Sequence, residues 1–261
     1  AGSKSIGYGG GAKLTLSGHT GSVVRWQSSA TSDFTTYTNI TVTDSIYNPS
    51  AIYATTYYRA VVKSGACSEA YSDAALITVT AQSVAGSITG AGPVCVTGNS
   101  SKLVLSGNTG TIQWQSSGNG TSFSDLSGET TDTLSVVNLT TTTYYRAVVT
   151  SGLSAADTTS IVVITVDPVT VGGTISGDTT VCTGSNSAVL TLSGNVGSVV
   201  KWQSSTTSDF SADITNINNT NTTYTASGLT ATTYYRALVK SGICDSAFSS
   251  IAAVTVSEVA N

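Results

Sequence analysis

The sequence predicts an all-β protein made of three tandem domains, and three observations carry that prediction. One phrase recurs: Leu14-Thr-Leu-Ser-Gly18, then Gly21-Ser-Val-Val-Arg-Trp26-Gln-Ser-Ser29, returns over 103–117 and again over 190–205. Its tryptophans fall at a constant spacing, 114 − 26 = 88 and 202 − 114 = 88. Tyr-Tyr-Arg-Ala keeps step with it at 57–60, 144–147 and 234–237. A fixed internal period sets domain count and architecture together. Within each period, short alternating runs are punctuated by Gly, Asn, Ser and Asp, and no segment sustains a helical period.

Repeat three shows the elements in order. Val189-Leu-Thr-Leu192 alternates apolar and polar, Gly194-Asn-Val-Gly197 turns the chain, and Val199-Val-Lys-Trp-Gln203 forms a second run. Thr223-Tyr-Thr-Ala226 follows, then Thr233-Tyr-Tyr-Arg-Ala-Leu-Val239, a Lys240-Ser-Gly242 turn and Ile251-Ala-Ala-Val-Thr-Val256. Strands at this spacing are the signature of a β-sandwich or barrel, and the tryptophan and tyrosine positions point to an immunoglobulin-like sandwich. Trp26, Trp114 and Trp202 sit where such a fold buries a tryptophan between its sheets, so they are expected in the core rather than on an exposed platform for sugar rings. Alternation places Tyr58, Tyr145 and Tyr235 inside. It leaves Tyr57, Arg59, Tyr144, Arg146, Tyr234 and Arg236 as an outward stripe, a candidate binding surface, with arginine stacked on tyrosine as its structural explanation.

The expected domains are residues 1–80, 85–167 and 171–258, joined by Thr80-Ala-Gln-Ser-Val84 and Asp167-Pro-Val-Thr-Val171. Connections this short limit bending and predict an elongated rod. Residues 1–11 do not match the other repeats and read as an irregular segment, at least in part a cloning remnant, outside the fold. With no methionine, the chain reads as a processed or excised segment. Charged residues are 9% and hydrophobic ones 39%, which is not the composition of disorder. A net charge of −4 with scattered Lys and Arg excludes a nucleic-acid footprint. Nor is there an apolar run long enough for a membrane helix.

Four cysteines occupy two repeat positions. Cys95 and Cys182 open repeats two and three; Cys67 and Cys244 follow the Ser-Gly turns of repeats one and three. If the first strand begins at the same pole as that turn, Cys182 and Cys244 meet and close a loop of about 60 residues, contributing roughly 3–4 kcal/mol. Cys95 and Cys67 are then unpaired, since Leu153 stands where repeat two would carry its second cysteine, and a Cys67–Cys95 bond would span a domain length. Disulfide use indicates an oxidising, extracellular compartment. Metal ligation is not expected, because there is no Cys-x-x-Cys pair and a single histidine, His19, at a turn where the other repeats carry Asn108 and Asn195. Asp33 and Asp209, in Thr-Ser-Asp-Phe, are too few for calcium and are expected to order their loops. No catalytic residues and no cofactor are expected.

These phrases, with Val-Cys in front and Ser-Gly-x-Cys behind, resemble the tandem immunoglobulin-like repeats of very large Bacteroidetes gliding-motility cell-surface adhesins, over residues 12 to about 256. The resemblance implies a secreted, extracellular protein at the cell surface, a stalk that presents or contributes to adhesion during gliding. Its partners would be neighbouring repeats and polysaccharide or solid surfaces. Two alternatives are polysaccharide-binding repeats and accessory domains of a secreted polysaccharide-degrading enzyme. The same lineage implies O-glycosylation after aspartate, with candidates at Ser45, Thr133, Thr158, Thr179 and Ser246.

Overall fold

The computed structural model describes residues 2–184 and 186–258. Regular structure among them is β-strand throughout, in three immunoglobulin-like repeats. The chain forms two compact units. One contains repeat one with Leu103–Leu134 and Tyr145–Val162; the other contains Gly90–Lys102, Ser135–Tyr144 and repeat three.

In the second unit, repeat three is built from two sheets. Ser187–Ser193 lies between Thr174–Ser176 and Thr223–Ser227; the other sheet runs Thr179–Cys182, Ala252–Ser257, Thr233–Lys240, Ser198–Ser205, Thr215–Ile217. The first strand thus changes sheets partway along. Gly177 makes the switch at φ 113°, where a Cβ would strike the carbonyl oxygen of Val189. After the switch, Thr179–Cys182 runs parallel to the last strand, with Thr179 opposite Val254 and Cys182 opposite Ser257. Trp202 is fully buried among Leu190, Leu192, Val239 and Val254, and its indole N–H donates to the Asn221 carbonyl at 3.0 Å. Tyr224 bridges Trp202 to buried Tyr235, with ring centroids 5.8 and 5.6 Å apart. A bulge between Val199 and Lys201 breaks simple alternation, so that both Val199 and Trp202 face the core.

In the first unit, repeat one repeats this plan. Its larger sheet runs Lys4–Ile6, Ala75–Val79, Thr56–Lys63, Ser22–Ser29, Thr38–Ile40, and Leu14–Thr15 pairs with Ile46–Tyr47 on the opposite side. Trp26 donates to the Asp44 carbonyl at 3.0 Å and the same bulge separates Val23 from Arg25. The exclusion of residues 1–11 from the fold as an irregular remnant is corrected here. Lys4–Ile6 pairs in parallel with the last strand, and Ile6 is 6% exposed in the core. Its partner edge is set by hydrogen bonds of the backbone, which leave almost no trace in a three-residue stretch followed by glycines. The middle repeat's share of this unit includes Trp114, fully buried, which donates to the Thr131 carbonyl at 2.8 Å. Tyr145, like Tyr58 and Tyr235, is buried as its place in the alternation requires.

Candidate functional site

Two constructions recur on this scaffold outside the core. The first begins at the residue after each tryptophan. Gln27 lies directly across from Arg59, and Gln203 from Arg236. In each repeat the arginine Nε donates to that glutamine: Arg59 to Gln27 Oε1 at 2.8 Å, Arg146 to Gln115 Oε1 at 2.7 Å, Arg236 to Gln203 Oε1 at 2.8 Å. The glutamine amide then donates onward, to Asn39 Oδ1, Asp125 Oδ1 or Asn216 Oδ1. Rings enclose the guanidinium: Phe34 and Tyr71 at 4.1 and 4.2 Å from Arg59, Phe123 at 4.2 Å from Arg146, Phe210 and Phe248 at 4.1 and 3.7 Å from Arg236. Burial holds the Arg236 guanidinium below the usual value for arginine.

The Thr-Ser-Asp-Phe loops deliver two of these rings. Phe34 and Phe210 sit at φ 51° and 54°, uncommon for a bulky side chain. Asp33 Oδ1 fixes its loop by accepting from the Thr31 and Thr35 hydroxyls and the Thr35 N–H; Asp209 Oδ1 accepts from the Ser211 N–H and hydroxyl. These bonds hold both carboxyls below their ordinary value, with hydrogen bonding from Thr31 and Ser211 the largest cause. The aspartates order their loops in the way their spacing suggests. The expected stripe is therefore differently made. Its arginines stack on Phe34, Tyr71, Phe123, Phe210 and Phe248, on other segments, while Tyr57, Tyr144 and Tyr234 lie half-buried beside them.

The second construction is the joint between consecutive repeats. Ser151-Gly-Leu-Ser154 and Ser241-Gly-Ile-Cys244 form the same turn, with the fourth N–H donating to the first carbonyl at 2.9 Å in both. Ser154, not Leu153, is thus the equivalent of Cys244. At the first joint Ser154 Oγ donates to the Ala81 carbonyl at 2.7 Å and accepts from the Tyr8 N–H at 2.9 Å. Ser83 Oγ accepts from the Ser151 N–H at 2.9 Å. At the second joint Thr170 Oγ1 accepts from the Ser241 N–H at 2.9 Å, and Asp167 Oδ2 from the Ile243 N–H at 3.0 Å. Cys244 is bonded there to Cys95, with Cα atoms 4.9 Å apart.

That bond corrects the expected Cys182–Cys244 pairing and the unpaired assignment of Cys95. Because the first strand runs parallel to the last, its cysteine lies at the exit pole, Cys182 beside Ser257 and Cys95 beside Asp167. The turn carrying Cys244 lies at the entry pole. Five residues of strand from Cys182's level to that of Tyr235, and five more to Lys240, separate them by about 33 Å, against a limit of about 7 Å. The premise that first strand and turn share a pole was the error. Cys67 and Cys182 are free and exposed.

His19 is exposed, its Nδ1 3.1 Å from the Gly21 carbonyl oxygen within its turn. Ser45, Thr158, Thr179 and Ser246 are exposed and Thr133 is half-buried. No group of three or more His, Cys, Asp or Glu side chains among the described residues is arranged to hold a metal ion.

A family model described as Domain of unknown function (DUF8696) matches the chain three times, over residues 1–81, 84–168 and 171–258. No curated protein matches it. Among solved structures the chain is similar to murine CEACAM1b, at 10% identity and TM-score 0.37, over 62% of this chain and 95% of that one. It is also similar to Drosophila OTK extracellular domains 3–5, at 12% identity and TM-score 0.38, over 100% of this chain and 95% of that one. Domains from titin are similar at 16% identity and TM-score 0.38, over 97% and 96% of the two chains.

Proposed function

We propose that this chain, which belongs to the DUF8696 family of domains of unknown function at each of its three repeats, is a stalk segment of a secreted bacterial surface adhesin. One observation carries the reading: in every repeat the first strand pairs in parallel with the last. The pairs are Lys4–Ile6 with Ala75–Val79, Val94–Cys95 with Val166–Asp167, and Thr179–Cys182 with Ala252–Ser257. Tension applied through the chain ends loads such a pair in shear, so its hydrogen bonds resist together instead of opening one by one. The joints, one hydrogen-bonded and one covalent, suit the same task of passing load from repeat to repeat. The disulfide fits an oxidising, extracellular setting. The Trp-Gln-Ser-Ser and Tyr-Tyr-Arg-Ala phrases support placement among the gliding adhesins of Bacteroidetes.

A second reading, polysaccharide binding by the repeats themselves, is favoured by the exposed rings over the arginines. Tyr71 is 52% and Phe248 46% exposed, each with its inner face on a guanidinium. Retention of the three-repeat chain on a panel of polysaccharides and on glass, beside a non-adhesive control protein, separates the two. A stalk segment gives no saturable retention. Saturable retention that disappears when Tyr57, Tyr144 and Tyr234, or Tyr71 and Phe248, become alanine would overturn the stalk reading in favour of binding.

A further inference from the structure

The two joints are versions of one device, and repeats one and three each carry a further half of it. The exit half consists of the residue at the end of the first strand and its neighbour on the last strand: Cys95 with Asp167, matched in repeat three by Cys182 with Ser257. The entry half is the Ser-Gly-x-Cys turn, matched in repeat one by Ser64-Gly-Ala-Cys67, whose Cys67 N–H donates to the Ser64 carbonyl at 3.0 Å.

Three neighbouring glycines report whether an entry half is filled. Gly65, Gly152 and Gly242 share a left-handed conformation, at φ 55°, 53° and 47°. A Cβ on Gly152 would meet the Thr80 side chain and one on Gly242 the Asp167 carboxylate, both from the preceding repeat. One on Gly65 would meet nothing within 4 Å. The entry half of repeat one is therefore preformed and uncovered, with its cysteine exposed. Cys182, at the exit half of repeat three, is likewise free and exposed. The positions equivalent to these two cysteines are bonded to each other within the same chain, as Cys95 and Cys244.

We propose that Cys182 and Cys67 are covalent docking sites for further repeats of this family: Cys182 bonds the entry-turn cysteine of one, and Cys67 the exit-strand cysteine of another. A second copy of this chain supplies both partners and serves as the probe. The contact is heterologous, head to tail, so copies add in series unless the rotation closes a ring. With glutathione disulfide as oxidant, the Cys182 thiolate attacks one of its sulfurs and expels a glutathione thiolate. The Cys67 thiolate of the second copy then attacks the mixed disulfide at the Cys182 sulfur and expels the second glutathione. Two protein thiols become one disulfide, two electrons pass to the oxidant, and the two thiol protons end on the two glutathiones.

The test uses the whole chain with Cys95–Cys244 intact, as wild type, Cys67→Ala, Cys182→Ala and an equal mixture of the two variants, in a glutathione redox buffer. Products are resolved on non-reducing gels and cross-linked peptides are identified by mass spectrometry. Both side chains are exposed, and thermal unfolding of each variant verifies that it folds as wild type does. The expected result is a ladder for wild type and a single mixed dimer for the mixture. The Cys182–Cys67 peptide should exceed each symmetric cross-link by about tenfold or more, a preference equal to roughly 1.4 kcal/mol of interface complementarity. Cross-links in statistical proportion, or absence of the Cys182–Cys67 peptide, would overturn the proposal. Neither outcome bears on surface retention, so this inference and the stalk reading fail separately.

Discussion

Replacing Cys244 with serine tests the covalent joint with little steric disturbance, because the first joint already carries a serine at that place, Ser154. The bond closes 149 residues, which the chain-entropy relation converts to about 5 kcal/mol if everything inside unfolds together. If repeat three unfolds alone, Cys95 stays fixed beside Asp167 and the effective loop is 244 − 167 = 77 residues, still about 4.5 kcal/mol. The estimate thus hardly depends on which unit melts. Removal of native crosslinks typically costs about 2–5 kcal/mol. For a repeat of this size, 1 kcal/mol moves Tm by about 4–8 °C, so Cys244→Ser should lower it by roughly 8–40 °C. Scanning calorimetry on Cys244→Ser, Cys95→Ser and the double variant should give the same loss three times, since any one substitution removes the whole bond. Cys182→Ser should leave Tm where it was. A loss below about 1 kcal/mol for Cys244→Ser, or an equal loss for Cys182→Ser, would refute the assigned connectivity and the loop argument with it.

Three other perturbations probe the remaining constructions. Arg236→Leu leaves buried Gln203 with an unpaired oxygen and removes two ring contacts, and should cost roughly 2–4 kcal/mol in urea unfolding. Arg236→Lys should recover part of that loss, and full recovery would show that the planar guanidinium is unnecessary. Tyr235 has its hydroxyl pKa pushed up to about 12, first by burial and then by Tyr224. Its raised value favours the neutral phenol in the folded state, so its contribution is complete below the unfolded pKa of about 10 and is lost as pH rises from there through about 12. Alkaline unfolding of repeat three in that window, shifted upward by Tyr235→Phe, would be seen by circular dichroism; no shift would count against it. Gly65→Ala should cost only the roughly 1–2 kcal/mol of left-handed backbone. Gly242→Ala must also displace Asp167 from the Ile243 N–H, and equal losses for the two variants in calorimetry would show that the second joint is not packed as described.

The sandwich was legible because its determinants are local and repeated three times. Trp202 stands in an apolar run between turn residues, and Tyr234-Tyr235-Arg236-Ala237 alternates inward and outward within four residues. The arginine site was half legible. Glutamine after each tryptophan and arginine after each tyrosine pair were both visible, but their pairing is a matter of strand register. Only the register places Gln203 across from Arg236, and only a loop at positive φ brings Phe210 over it. The cysteines misled for a topological reason. Whether the first strand runs parallel or antiparallel to the last decides which pole its cysteine reaches, and four residues such as Thr179–Cys182 carry no pattern that fixes direction. The short first strand of repeat one is illegible in the sequence for the same lack of length.

Comparison of the two joints shows how little sequence change separates a hydrogen-bonded connection from a covalent one. The backbone arrangement is shared: the same turn, the same hydroxyl from the linker, Ser83 or Thr170, accepting from the first N–H of the turn. What differs is three side chains. Gly7, Thr80 and Ser154 let the backbones close on one another, so that a Cβ on Gly7 would strike the Leu153 carbonyl, and the contact is held by neutral hydrogen bonds. Cys95, Asp167 and Cys244 hold the other joint through a disulfide and a carboxylate accepting from the turn. A neutral hydrogen bond contributes about 0.5–1.5 kcal/mol net, against about 2–5 kcal/mol for the crosslink. Each hydrogen bond of the first joint is thus weaker than the crosslink of the second, and only the crosslink needs reduction to break. An array assembled from such repeats has its hydrogen-bonded and covalent connections written residue by residue, at the end of each first strand and the fourth position of each Ser-Gly turn.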